Sequence, residues 1–133
     1  MVKNFEGSLI QKHEIDIGMF YFYENFVVGE VNEGSDLNFE SGKKLYQLIE
    51  TYYKGTIPYT YISNRVNSYS FKPTRIHGSS EKFPNLKGYA IVTYDPVNHK
   101  IACLEKTFAD IPTDVFNSLE DAITWSKKMT TVN

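Results

Sequence analysis

Apolar and polar positions alternate along the first readable stretch. Ile15, Ile17, Met19, Tyr21 and Tyr23 interleave with Asp16, Gly18, Phe20 and Phe22, a period of two that predicts a strand over 15–23. Its second half is apolar on both sides, as in a sheet covered on both faces. Glu24-Asn25 is a short polar break, and FVVGEV (Phe26 to Val31) is a second run rich in β-branched residues. The two read as an antiparallel hairpin, followed by a turn over Asn32 to Ser35. Residues 1–12 carry little pattern; Phe5, Leu9 and Ile10 suit a short edge strand or simple packing.

The period then changes. Leu45, Leu48, Ile49 and Tyr52 recur at three- and four-residue steps, the stripe of an amphipathic helix. Asn38 or Asp36 can cap its start, Gly55 can end it in the left-handed conformation, and Glu40 and Lys54 suit its dipole. Roughly 16 residues span about 24 Å, enough to cross a sheet. Tyr59 to Asn64 is the next strand, and a helix between two strands favours parallel pairing. Residues 65–87 are irregular, with Pro73 able to open a short helix. GYAIVTY (Gly88 to Tyr94) reads as a strand, Asp95 to His99 as a turn, and KIACLEKTF (Lys100 to Phe108) as an antiparallel return strand. Ser118-Leu119-Glu120-Asp121 resembles a capping box and opens a last helix. Leu119, Ala122, Ile123 and Ser126 share its docking face, and Thr130 to Asn133 reads as a frayed tail.

Composition narrows the classes. At 133 residues, with 41% apolar residues, one domain over 1–133 with a real core is expected. The ten Tyr and nine Phe fill that core or make an aromatic binding surface. A net charge of −2 without clustered Lys or Arg lacks the footprint of a nucleic-acid binder. The single cysteine, Cys103, excludes an internal disulfide and reads as a small buried strand residue. The opening MVKNFEGSLIQKHE has no apolar core of signal-peptide length, and charges break the run from Ile15 to Val31, so neither a leader nor a membrane span is expected. The expectation is a cytoplasmic protein.

Candidate chemistry is thin. His13, His77 and His99 sit in separate segments, without the spacing of metal ligands. No phosphate loop or dinucleotide fingerprint appears, so no cofactor is expected. Glu105 faces solvent or pairs with Lys106 or Arg65. One polar cluster stands out, in PYTYISNRVNSYS: Ser63, Asn64, Arg65, Asn67 and Ser68, at the end of a strand where α/β sheets hold ligands. Arg65 suits an anion or carboxylate, and the two Asn supply donors and acceptors. Equally, Asn and Ser cap a turn while Arg65 pairs with a Glu.

The order of hairpin, long helix, strand with a Ser/Asn end, irregular stretch, strands and amphipathic last helix resembles the STAS-like group. The likeness is to small stand-alone bacterial proteins similar to the sporulation anti-sigma-factor antagonist. VFNSLEDAITW (Val115 to Trp125) resembles the capped, aromatic last helix of that group, and YISNRVNSYS (Tyr61 to Ser70) resembles its uncharacterised Bacteroidetes-type members. The resemblance implies an α/β fold, a mixed sheet with an N-terminal antiparallel hairpin and flanking helices; the alternative is a two-layer α+β sandwich. It implies protein binding rather than catalysis, switched in the best-known members by a phosphorylated Ser or Thr, matched by position to Ser63 or Ser68. The Asp-Ser-Gly-like context is absent here. The short 95–99 link also departs from the group's usual layout, which puts a helix between those strands. The expected role is a non-enzymatic interaction or regulatory module with a protein partner, possible as a homodimer. One alternative is a carrier of a small or lipid-like ligand, with Tyr21, Phe22, Tyr52 and Tyr61 lining its pocket. Another is a hydrolase using Ser63 or Ser68 with His77.

Overall fold

A computed structural model describes residues 9–34, 42–67 and 83–131. Among them form β1 (Leu9–Ile15), β2 (Gly18–Tyr23), β3 (Phe26–Val31), α1 (Lys43–Tyr53), β4 (Tyr59–Asn64), β5 (Leu86–Val92), α2 (Pro96–Phe108), β6 (Thr113–Phe116) and α3 (Leu119–Thr131). The six strands make one sheet whose order in space is their order in the chain. Link length decides direction. Two-residue links join β1 to β2 and β2 to β3, so both pairs are antiparallel. From β3 to β6 every neighbour is parallel.

The run expected as one strand from Ile15 is broken by a turn at Asp16-Ile17, with Ile15 already paired to Gly18. An edge strand does precede it, as Leu9 and Ile10 suggested; Phe5 lies outside the described residues. The turn at Glu24-Asn25 and the second hairpin strand form as read, and the first is shortened to Gly18–Tyr23.

The two faces of the sheet carry separate cores. On one, Phe20, Phe22, Val27, Val31 and Tyr59 pack with Leu45, Ile49 and Tyr53 of α1. On the other, Tyr21, Tyr23, Phe26, Val28, Ile62, Ala90 and Val92 pack with Ala122 and Ile123 of α3. Helices therefore cover both faces, which rules out the two-layer alternative. Glycines open room on both faces: a Cβ on Gly29 would collide with the Tyr61 hydroxyl of the neighbouring strand, and one on Gly88 would lie 3.0 Å from the Trp125 ring of α3.

Tyr53 closes α1 onto the hairpin. Its hydroxyl donates to the carbonyl oxygens of Tyr23 (2.7 Å) and Phe26 (2.9 Å), and its ring stacks on Tyr59 at 4.5 Å. Lys54 is the C-cap, at φ 53°, and Gly55 follows at φ 68°. The expected caps Asp36 and Asn38, and Glu40, lie outside the described residues, as do Pro73 and His77.

The main correction concerns 95–108. The expected turn and antiparallel strand are instead the helix α2, which carries the chain across to a parallel β6 that the sequence reading missed. The Asp95 carboxylate accepts from the Asn98 N–H at 2.9 Å, and Pro96 takes the first helical position, where its missing N–H costs nothing. Cys103, expected to be buried, is exposed on this helix. The last helix forms as read, with the Ser118 hydroxyl accepting from the Asp121 N–H at 3.2 Å, and it runs on to Thr131 where a frayed tail was expected. No described helix is long and apolar enough to cross a membrane.

Candidate functional site at the strand ends

β4 delivers its polar residues in alternation, so neighbours leave on opposite faces of the sheet. Ser63 and Arg65 follow Tyr61 toward the α1 side. Asn64 follows Ile62 toward the α3 side. The cluster that is continuous in sequence is therefore two clusters in space.

On the first side Arg65 is 9% exposed and Glu105 is fully buried. The guanidinium meets the carboxylate as a fork: Nη1 lies 2.5 Å from Oε2 and Nη2 lies 2.7 Å from Oε1. Nη2 also donates to the Tyr89 hydroxyl at 2.9 Å, and Nε donates to the Ser63 hydroxyl at 3.0 Å. Tyr89 tilts against Tyr61, which packs in the α1 core. Glu105 therefore places α2 on the α1 side of the sheet, where right-handed crossovers stepping one way along the strands put both helices. A buried carboxylate needs a partner, and the bidentate pair ties α2 to the end of β4.

On the second side Asn64, 2% exposed, donates from Nδ2 to Glu30 Oε2 at 2.9 Å and accepts the Tyr94 hydroxyl at 2.5 Å. Burial and then the Glu30 carboxylate raise the Tyr94 hydroxyl above its ordinary pKa, against the lowering effect of the Asn64 hydrogen bond. Asn67 donates to the Val31 carbonyl at 3.1 Å, holding the chain after β4 against β3. Ser68 lies outside the described residues. An open cleft of ≈ 490 Å³ adjoins these groups, lined by Thr93, Tyr94, His99, Lys100 and Asn117 among others.

Of the five residues singled out, Ser63 and Arg65 come together, Asn64 and Asn67 bond elsewhere to β3 and Tyr94, and all four are engaged within the chain. The pairing of Arg65 with Glu105 was one of the sequence alternatives, but on a strand rather than a helix. Tyr89, Tyr94 and Glu30 were missed, because only the parallel register brings them level with the end of β4. The aromatics expected around a carrier pocket fill space instead: Phe22 is fully buried and stacks on Tyr52 at 4.6 Å, and the Tyr61 hydroxyl occupies the space above Gly29.

Above the cluster the surface turns apolar. Val97 (68% exposed), Ile101 (43%), Leu104 (52%) and Phe108 (38%) run along α2, and Tyr94 (53%) precedes its cap. The helix buries Ala102 and Glu105 and turns its larger apolar side chains outward.

Compared by sequence, the chain matches no protein-family model and no curated protein. By structure it is similar to an uncharacterised protein of the DUF3478 family with a SpoIIAA-like fold, from Shewanella loihica PV-4. The TM-score is 0.57 at 13% identity, over 95% of this chain and 98% of that one. The fold is SpoIIAA-like, that is STAS-like, as the layout of the sequence suggested.

Proposed function

We propose that the protein is a non-enzymatic interaction module that docks partners on the outer face of α2. The observation that carries this reading is the apolar row Val97, Ile101, Leu104 and Phe108, exposed on a helix whose inward contact is an ion pair. Scattered exposed apolar residues are ordinary, whereas a contiguous row marks an interaction surface. The polar residues at the strand end serve this reading as the mount: Arg65, Ser63 and Tyr89 hold α2 in place through Glu105.

A regulatory version uses phosphate on Ser63 or Ser68, whose added charge of about −1.5 to −2 would compete for Arg65 and loosen the mount. Ser63 is 2% exposed, so its modification requires the strand end to open first.

The test is capture from lysate of the protein's own host by the wild type, by Leu104→Glu and by Thr51→Glu, a change at an exposed position on α1. A protein held by the wild type and Thr51→Glu but lost with Leu104→Glu is the expected result. Equal capture by all three would remove α2 as the docking face. Mass spectrometry of the protein from that host tests the switch, which fails if neither serine carries phosphate in any growth condition.

A further inference from the structure

β5 and β6 are parallel neighbours, yet the chain leaves them on opposite sides of the sheet. After β5 it passes into α2, on the α1 side, and after β6 into α3, on the other. Where two such loops part, the carboxyl ends of the strands stay uncovered, and that crevice is where open α/β sheets take their ligands. The cleft of ≈ 490 Å³ lies at this point: Thr93, Tyr94, His99 and Lys100 come from the loop and helix after β5, and Asn117 from the loop after β6. Its size falls within the roughly 300–1,000 Å³ of small-molecule sites. The polar cluster singled out in the sequence ends β4 instead, one strand away from where the loops divide.

We infer that this cleft binds a small organic anion, a carboxylate or phosphate carried on a flat apolar ring. The inference does not rest on the docking role of α2. Three features support it. First, the groups left free in the cleft are donors. Among the described residues Lys100 makes no ion pair, and neither the Asn117 amide nor Nε2 of His99 has a partner. The one carboxylate in the lining, Asp95, is spent on its own helix: Oδ1 accepts from the Asn98 N–H at 2.9 Å and Oδ2 from the Asn98 amide at 2.7 Å. The whole chain carries −2, so this local surplus of donors is no reflection of a basic protein. Second, His99 is mounted to serve an anion. Its Nδ1 lies 3.3 Å from the hydroxyl of buried Thr93, which donates to the neutral ring and accepts from the charged one. The ring keeps that bond in either state and offers an Nε2–H to the cleft. Third, the apolar wall is already ordered. The Tyr94 hydroxyl donates to Asn64 at 2.5 Å, which holds the ring while leaving it 53% exposed, and Pro96 lines the cleft beside it. A ring stacked on Tyr94 would therefore immobilise little that is not already fixed.

Titration of the isotope-labelled full chain with phenyl phosphate and benzoate, and with their ring-free counterparts inorganic phosphate and acetate, tests this by NMR. The expected result is that at least one ring-bearing anion shifts the signals of Tyr94, His99 and Asn117 with a Kd of about 1 mM or below, the strength open to so small a ligand. Its ring-free counterpart should bind roughly tenfold more weakly. Tighter phenyl phosphate assigns a phosphate ester, and tighter benzoate a carboxylate. Lys100→Met should weaken the ring-bearing anion roughly tenfold, the weight of one charged hydrogen bond, while Lys44→Met, on α1, should leave it unchanged. Tyr94→Leu should bring the ring-bearing anion down to its ring-free counterpart. Tyr94→Phe gives up the same bond to Asn64 but keeps the ring, and should bind as the wild type does. All three positions are exposed, so each variant should keep the wild-type circular dichroism spectrum. The proposal is overturned if no probe shifts these signals up to about 10 mM, tenfold above the expected strength. It is equally overturned if the ring-free anions bind as well as the ring-bearing ones, or if Lys100→Met and Lys44→Met behave alike.

Discussion

Glu105 is the residue on which the strand-end cluster depends. It is fully buried, and its charge is met by the Arg65 fork. Removing one member of such a pair strands the other in a poor solvent, at a cost of about 3–5 kcal/mol, while replacing both with apolar residues of similar size is close to neutral. Arg65→Met alone should therefore destabilise by about that much in urea titrations, and Arg65→Met with Glu105→Leu should recover most of it. A double variant as unstable as the single would show that Arg65 is needed for its bonds to Ser63 and Tyr89 rather than for the charge. Gly29 poses a steric version of the same problem. A Cβ at Gly29 would collide with the Tyr61 hydroxyl and with the Phe20 ring, 2.8 Å away, so Gly29→Ala should cost about 1–3 kcal/mol, and Tyr61→Phe should relieve only the hydroxyl's part of it. Tyr53 and Tyr59 add a pH signature. Burial pushes both hydroxyls well above their ordinary 10, with nearby Tyr59 and Tyr52 adding to the shift at Tyr53 and Glu50 adding at Tyr59. A raised folded pKa gives stability that is complete below the unfolded value and is lost as pH rises from there toward the folded one. The urea midpoint should hold steady to about pH 10 and then fall, with phenolate absorbance from these two rings appearing together with unfolding. A phenolate step from them in a still-folded chain would contradict this.

At the scale of elements, α2 hangs on its cap. The N–H of Asn98, and then its side-chain amide, hold the Asp95 carboxyl below its ordinary 3.8. Asp95→Ala should lower the melting point at neutral pH. That stabilisation is present above the ordinary value and lost as pH falls through the lower folded one, so the gap between variant and wild type should close in strong acid. A gap unchanged down to that acid range would mean the cap is not the source. The same helix shows where sequence reading reached its limit. α1 and α3 were legible because their apolar stripes face the sheet and are bounded by polar turns. In α2 the stripe faces outward and the inward side is small or charged, Ala102 and Glu105, so alternation and helical spacing competed in KIACLEKTF. Asp95-Pro96, a cap followed by the residue suited to the first helical position, was the signal for a helix that the strand reading passed over. β6 was invisible for another reason. Four half-buried residues at a sheet edge, TDVF, carry too little pattern to stand apart from a loop. The site was half legible: its residue types and place at a strand end could be read, but their partners on β3, β5 and α2 depend on register.

For the whole molecule, the order of strands in space matches their order in the chain. During synthesis each strand can therefore pair with the one made just before it, and no later strand has to be inserted between two already joined. The face bearing Tyr21, Tyr23, Phe26, Val28, Ile62, Ala90 and Val92 waits longest, because its cover is α3, made after all six strands. A nascent chain ending near Asn117 would carry a nearly finished sheet with one greasy side bare. Until this 13-residue helix clears the ribosome, that side is open to chaperones and to other unfinished chains, so its emergence sets the moment at which the sheet stops being a hazard.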